Sequence, residues 1–248
     1  MFKKAHITIL SVAMLLAGAT QAQAQVTIGP RLGLNATKLN FDLEDDGPDT
    51  KYIFGPQVGV TLNAQFGNLA LQPSILFSPK GTKIEVIEEG SATSNGETYS
   101  IRSEEKATIR LSYLEVPVNL VYSTNGADGG FQVFAGPYLG IGLSGNYKAE
   151  NNYSASLNGQ VVESMSGSAD ADIKFVGKAS DGDEPEFRRL DFGLNAGLGY
   201  KAGSFQAQLG YGLGLSNLIP KSDDGDDSDN KIHNRGVQLS VAYFFGGK

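Results

Sequence analysis

Strict alternation of apolar residues with small polar ones is the feature that most constrains this chain. From Leu190 onward, even positions are oily while odd positions are mainly glycine, amide or charged. The oily series is Leu190, Phe192, Leu194, Ala196, Leu198 and Tyr200, and the other series is Asp191, Gly193, Asn195, Gly197, Gly199 and Lys201. A strand sorts a period-two pattern onto two faces, whereas a helix would scatter it. The pattern therefore predicts strands with one oily and one polar face.

The same alternation marks eight segments, each longer than the roughly 9–11 residues that a tilted strand needs to cross a bilayer. They are 26–41, 51–66, 68–86, 106–122, 131–145, 187–201, 204–218 and 232–246. Long polar connectors (42–50, 87–105, 146–186, 219–231) alternate with short ones (Gly67, 123–130, 202–203). This asymmetry is typical of outer-membrane barrels, with short turns in the periplasm and long loops outside. We expect an all-β fold, an eight-stranded antiparallel up-and-down transmembrane β-barrel.

A water-soluble barrel with an oily interior is the alternative that this pattern leaves open. Two observations favour lipid on the outside. The polar face consists mainly of Gly, Asn, Gln and Ser, which suit a narrow lumen better than a water-exposed surface. The second is a set of aromatic residues on the oily faces beside the short turns: Phe66, Tyr122, Phe131, Tyr200, Phe205 and Phe245. We expect these rings to form an interfacial belt.

The alternation breaks in segment 106–122. Ile109, Leu111 and Tyr113 are apolar at odd positions, whereas Leu114 and Val116 are apolar at even positions. A β-bulge near Tyr113 would reset the phase. We therefore expect a register irregularity there.

The N-terminus has the three parts of a secretory signal peptide. Lys3 and Lys4 precede an apolar run, and the small-residue pattern Ala22-Gln23-Ala24 follows. We expect residues 1–24 to be cleaved and residues 25–248 to form the outer-membrane barrel. The absence of cysteine excludes a disulfide framework, and the formal charge of −7 argues against a nucleic-acid partner.

Five short motifs carry a family resemblance. They are Arg31-Leu-Gly-Leu-Asn35, the stretch from Leu71 to Gly81, Tyr113-Leu-Glu-Val-Pro-Val118, Phe134-Ala-Gly-Pro-Tyr138 and Asp191-Phe-Gly-Leu-Asn195. The chain resembles, over about residues 26–246, the outer membrane protein beta-barrel family of Bacteroidetes, also called PorT-like or porin family. The resemblance implies an eight-stranded barrel and no agreed activity.

Three charged residues are predicted to point into the lumen: Arg31, Glu115 and Asp191. An isolated charge in a narrow interior is costly, so we expect these groups to be paired. The first interpretation is a polar plug that makes the barrel rigid. The second is a gated or selective pore.

The connector 219–231 contains a dense acidic run made of Asp223, Asp224, Asp226, Asp227 and Asp229. Carboxylates at this density could hold calcium weakly, or bridge through divalent cations to lipopolysaccharide phosphates. Solvated, mutually repelling loops are the alternative. The connectors 42–49 and 181–186 are acidic as well.

Catalysis has one histidine candidate in the barrel, His233, because the other histidine, His6, lies in the predicted signal peptide. Lipid-modifying barrels generally need an activated histidine. The Gly197-Leu-Gly199 string lies in a predicted strand, so it does not predict dinucleotide binding. We expect no enzyme activity, no cofactor and no resident metal.

The sequence therefore predicts an outer-membrane protein with a structural or interaction role. Expected partners are outer-membrane lipids and lipopolysaccharide, the barrel assembly machinery during biogenesis, and proteins at either face, with no nucleic acid. The alternatives are a narrow passive channel, a PorT-like secretion accessory and, last, a lipid-modifying enzyme.

Overall fold

A computed structural model gives the fold of residues 25–43, 47–180, 182, 184–222 and 224–246. The predicted signal peptide, residues 1–24, lies outside the described residues and stays a prediction. Among the described residues, no helix is both long enough and apolar enough to span a membrane.

The described residues form eleven strands and one turn of 3-10 helix, Gly126–Asp128. The strands are β1 (Gln25–Asp42), β2 (Thr50–Lys51), β3 (Ile53–Phe66), β4 (Leu69–Ser94), β5 (Glu97–Ser123), β6 (Gly129–Leu157), β7 (Gln160–Val176), β8 (Glu186–Arg188), β9 (Leu190–Ala202), β10 (Phe205–Gly214) and β11 (Lys231–Tyr243).

Eight of these strands form a closed antiparallel ring. The order is β1, β3, β4, β5, β6, β9, β10 and β11, and β11 pairs back with β1 from Arg31↔Ala242 to Asp42↔Lys231. The ring confirms the predicted fold class. Leucines such as Leu194, Leu209 and Leu239 are exposed on the outside, whereas Gln57 and Gln72 are buried inside. This arrangement is the reverse of a water-soluble barrel.

Four strands continue past the barrel rim as an open sheet. We call residues 85–106 and 146–172 the extension. It consists of the β4–β5 hairpin and the β6–β7 hairpin, joined by pairing from Lys106↔Glu150 to Tyr99↔Leu157. Both hairpins turn at an Asn-Gly pair with positive φ at both residues, which is the signature of a tight hairpin turn.

The extension corrects the prediction for segment 87–105 and decides segment 146–186, whose polar composition is compatible with either partial disorder or an extended hairpin. Segment 87–105 was expected to be a polar loop, but it is mostly strand because β4 and β5 continue to the Asn95-Gly96 turn. In segment 146–186, strand pairing continues to Val176, so it contains an extended hairpin. Strands beyond the bilayer need no lipid-facing side, so their sequences lack a clear apolar–polar alternation and resemble those of polar loops.

The irregularity near Tyr113 occurs where it is expected, but the extra residue is on the partner strand. Ser112 pairs with Ser144 and Tyr113 pairs with Gly142, so Leu143 of β6 is the unpaired residue. Strand β5 therefore keeps one phase, and Ile109, Leu111 and Tyr113 all point inward. The expected phase reset of β5 is wrong; the reset occurs in β6, as expected for the strand that contains a bulge.

The aromatic residues beside the short turns are all exposed on the outer surface. Phe131 contacts Tyr200 edge to face with 5.3 Å between ring centroids, and Phe205 contacts Tyr243 at 4.7 Å. Such ring pairs at one end of the wall match an interfacial belt.

Changing Leu209 to Lys tests which surface faces lipid. Leu209 and Ile101 are both 53% exposed, but Leu209 lies midway along β10 whereas Ile101 lies in the extension. We expect Leu209→Lys to lower the free energy of unfolding in lipid vesicles by about 2–4 kcal/mol, because it places a charge in hydrocarbon. The matched variant Ile101→Lys should stay within about 0.5 kcal/mol of the parent. Equal effects in a denaturant titration would contradict the orientation.

Candidate functional site

The lumen contains the three charged residues that the sequence predicts to point inward. Strands β1, β5 and β9 place Arg31, Glu115 and Asp191 inside the ring, where their exposed fractions are 4%, 0% and 0%. In each of these strands the neighbouring residues face outward. Because side chains alternate between the two faces of a strand, the three charged side chains face inward.

A fourth charged residue, Lys80 of β4, holds two of these groups together. Its Nζ lies 2.7 Å from Glu115 Oε2 and 3.2 Å from Asp191 Oδ2. It also lies 4.2 Å from the centroid of the Tyr138 ring, within range of a cation–π interaction. Lys80 is not among the predicted lumen residues, although the sequence contains a signal for it: Gln72, Ser74 and Ser78 share its phase on β4, and they are buried too.

Asp191 is the centre of the hydrogen-bond network. Its carboxylate accepts hydrogen bonds from Ser216 Oγ at 3.0 Å, Asn234 Nδ2 at 2.8 Å and Tyr138 Oη at 3.2 Å, in addition to the Lys80 contact. Buried charges persist when hydrogen bonds and counter-charges both satisfy them. Asp191 therefore ties β4, β6, β9 and β11 together across the lumen.

Arg31 completes the cluster in a different way. Its Nε and Nη2 donate to Ser240 Oγ at 3.1 and 2.8 Å, on the neighbouring strand β11. Arg31, Lys80, Glu115 and Asp191, which we call the charge cluster, comprise two cations and two anions. The formal charge of the cluster is zero, which reduces the cost of burying it.

A layer of amide side chains fills the lumen between the charge cluster and the short turns. Gln206 donates to Gln132 Oε1 at 2.7 Å, and Gln72 donates to Asn63 Oδ1 at 2.9 Å. Gln132 donates in turn to Ser123 Oγ at 2.8 Å. These bonds join side chains from β3, β4, β5, β6 and β10 across the interior.

An apolar cluster closes the other end of the lumen. The apolar cap consists of Leu39, Ile109, Leu111 and Tyr113 from the wall, with Ile173, Phe175, Phe187 and Leu218 from segments that fold over it. Phe175 packs edge to face on Tyr113 with 5.6 Å between centroids. Gly142 makes room for the Phe175 ring, since a Cβ there would lie 2.4 Å from it. The lumen is thus filled in three successive layers.

The catalytic alternative finds little support in the geometry around His233. The His233 Nδ1 lies 2.9 Å from the carbonyl oxygen of Ser216, which can only accept a hydrogen bond. This nitrogen is therefore the donor and is used for a backbone contact. Among the described residues, no hydrogen bond or ion pair links His233 to a carboxylate.

One carboxylate of the acidic run in 219–231, that of Asp227, pairs with cations of this chain. Asp227 accepts a hydrogen bond from Arg188 at 2.6 Å and lies 3.5 Å from Lys221. Asp223 lies outside the described residues, as do residues 44–46, 181 and 183 of the other acidic connectors. Within the part of the chain that the structure describes, no group of three or more carboxylate or histidine side chains could hold a metal ion. Calcium binding stays a prediction.

A closed antiparallel ring with an oily exterior and a filled polar interior defines a transmembrane β-barrel of the outer-membrane type. The chain matches the family described as outer membrane protein beta-barrel domain over residues 21–220, and it belongs to that family. Outer-membrane localisation follows from this membership. No curated protein matches the chain.

Solved outer-membrane barrels are similar in outline. The attachment invasion locus protein Ail of Yersinia pestis is 13% identical, with 89% of this chain and 99% of that chain covered and a TM-score of 0.36. Neisserial surface protein A is 11% identical, with coverage of 88% and 97% and a TM-score of 0.32. The N-terminal barrel domain of Pseudomonas aeruginosa OprF is 10% identical, with coverage of 90% and 100% and a TM-score of 0.30.

Replacing Lys80 by Met should strongly destabilise the barrel. The change leaves Glu115 and Asp191 buried without their shared cation, so we expect a loss of about 3–5 kcal/mol in the free energy of unfolding. Lys106→Met is the matched control, because the Lys106–Glu104 pair of 2.7 Å is partly open to solvent and should contribute at most about 1 kcal/mol. Adding Glu115→Gln to Lys80→Met should recover part of the loss. Equal losses for the two lysine variants would contradict this assignment.

The Arg188–Asp227 pair should weaken in acid. The hydrogen bond from Arg188, with Lys221 nearby, holds the pKa of Asp227 below its ordinary value. A lowered pKa stabilises the folded loop above the ordinary Asp range, and this contribution is lost as pH falls through the lowered value. We therefore expect limited proteolysis at Lys221 to accelerate only below the ordinary Asp range. Asp227→Asn should show the fast rate at neutral pH, and a pH-independent rate in the parent would count against the pairing.

Proposed function

We propose that this protein is a closed outer-membrane anchor whose function lies in presenting the extension to partners outside the cell. The observation that supports this proposal most directly is the filled lumen. The amide layer, the charge cluster and the apolar cap follow one another along the axis. An eight-stranded barrel has room for its own side chains and little else.

The extension supports the second half of the proposal. Strands β4 to β7 run well beyond the wall and remain fully paired with one another, which makes a rigid sheet instead of mobile loops. Binding residues are commonly carried on elements that a rigid scaffold positions. In this protein the barrel is that scaffold.

Several finer assignments belong to the same proposal. Cleavage after Ala24 would deliver the chain to the periplasm, where the barrel assembly machinery would receive it. Outer-membrane lipids and lipopolysaccharide would then contact the oily wall. The five motifs named above support a place in the PorT-like branch of Bacteroidetes, and a secretion-accessory role is the second candidate that they favour.

Conductance in a planar lipid bilayer tests the closed lumen. We expect no steady conductance from the purified protein, because three filled layers block the axis. The paired change Phe175→Ala with Phe187→Ala removes much of the cap but leaves the two polar layers, so it should stay closed as well. An open porin in the same bilayer is the positive control. Reproducible unitary steps from the unmodified protein would overturn the anchor and favour a channel.

A further inference from the structure

Strand β7 has a long edge with no partner strand among the described residues. One side of β7 pairs with β6 along Gln160–Ile173, while the other side is paired only farther on, where Lys174, Phe175 and Val176 meet β8. Natural sheets protect exposed edges with proline, lysine or very short strands. The free portion contains neither proline nor lysine, so its backbone N–H and C=O groups are available to another strand.

The inner face of the extension, which continues the lumen-facing side of the wall, exposes apolar side chains. Tyr99, Ile101, Tyr153 and Met165 all lie on this face and are exposed. At the base of the face, a groove of about 470 Å3 runs between Val86, Tyr147 and Ala169. An apolar surface of this kind above a membrane marks an interaction site.

Carboxylates without ion-pair partners in the described part of the chain surround this apolar face. Glu88, Glu105 and Glu163 share the inner face with Met165, and among the described residues none of the three forms an ion pair. On the opposite face several carboxylates do have cationic partners, since Glu85 pairs with Lys106 and Glu89 pairs with Arg102, whereas Asp170 and Asp172 at the β7 edge form no ion pair among the described residues. The extension as a whole has ten acidic and three basic residues. The inner face therefore offers apolar surface and negative charge, and a partner that supplies positive charge would complement it.

We propose that the free edge of β7 accepts an extended cationic, amphipathic polypeptide as an additional strand of the extension. This inference rests on the proposed function and specifies the partner. The backbone of the added strand pairs with Gln160–Ile173, and its apolar side chains lie beside Met165 on the inner face. Its lysine or arginine side chains alternate with the apolar ones and therefore approach Asp170 and Asp172 on the outer face, while the nearby negative charge of Glu163 on the inner face adds to their attraction. Addition of a strand to a sheet edge combines backbone affinity with side-chain selectivity.

A labelled ten-residue peptide of alternating Val and Lys is the probe, and fluorescence anisotropy with the full-length barrel in neutral detergent is the measurement. We expect saturable binding that weakens with salt. The alternating Val and Glu peptide should bind at least tenfold more weakly. N-methylation of every second residue distinguishes strand addition from adhesion, because a strand bound at one edge uses the N–H groups of alternate residues only. One N-methylated phase should abolish binding and the other should leave it nearly unchanged.

Matched variants locate the site. The triple change Glu163→Gln, Asp170→Asn and Asp172→Asn on β7 should weaken binding at least fivefold. Glu89→Gln on β4, at the far side of the extension, should leave it unchanged. Replacing residues 88–103 and 151–167 by Asn-Gly turns should abolish binding, and the heat-induced gel shift of a folded barrel reports that each variant still folds.

Three outcomes would overturn the inference. The first is binding of the Val–Glu peptide as tight as that of the Val–Lys peptide. The second is an equal loss of affinity for the two N-methylated peptides. The third is a stable dimer in analytical ultracentrifugation that the triple variant dissociates, because a second copy of the chain would then occupy the edge. If the peptide does not bind and the protein shows no conductance, the strand-addition inference fails while the anchor proposal stands. Unitary conductance steps overturn the anchor proposal independently of the peptide result.

Discussion

The need to satisfy every backbone hydrogen bond in hydrocarbon determines the rest of this structure. Only a helix or a closed sheet meets that need, and this chain closes its sheet by pairing β11 with β1. Closure with eight strands leaves a narrow interior, so inward positions must be small or mutually bonded. Gly197 illustrates the crowding, because a Cβ there would lie 2.2 Å from the Leu209 carbonyl oxygen and 2.6 Å from the Phe134 ring.

Charge inside such a wall is tolerable only when it is balanced. Lys80 is shared between Glu115 and Asp191, while Arg31 is held by Ser240, so the charge cluster is neutral and cross-linked. The apolar cap lies above this polar interior, at the end where the long connectors emerge. A barrel filled in this way is cross-linked through its interior, and it has no open pathway for solutes along its axis. Its chemistry with other molecules is therefore expected on the outer surfaces.

The alternation in the sequence was sufficient to predict the eight strands of the wall, their order and the inward direction of Arg31, Glu115 and Asp191. The same alternation along β4 also places Lys80 on the inward side. The apolar cap could not be predicted in this way. Ile109 and Leu111 look lipid-facing until Phe175 and Phe187, which are distant in sequence, cover them. The strands in 87–105 were missed, and a hairpin in 146–186 could not be distinguished from disorder, for a different reason. Outside the bilayer both faces of a sheet meet water, so the apolar–polar alternation weakens although the strand pairing continues.

The seam between the two chain ends has a consequence for how the molecule is made. Twelve residue pairs join β1 to β11, with partners separated by nearly the whole chain. Contacts between such distant positions form late and slowly. The cylinder therefore stays open at one side until the final strand has been synthesised. During that interval the edges of β1 and of the growing sheet are unpaired, so a chain shortened before residue 231 would be left as an open, adhesive sheet.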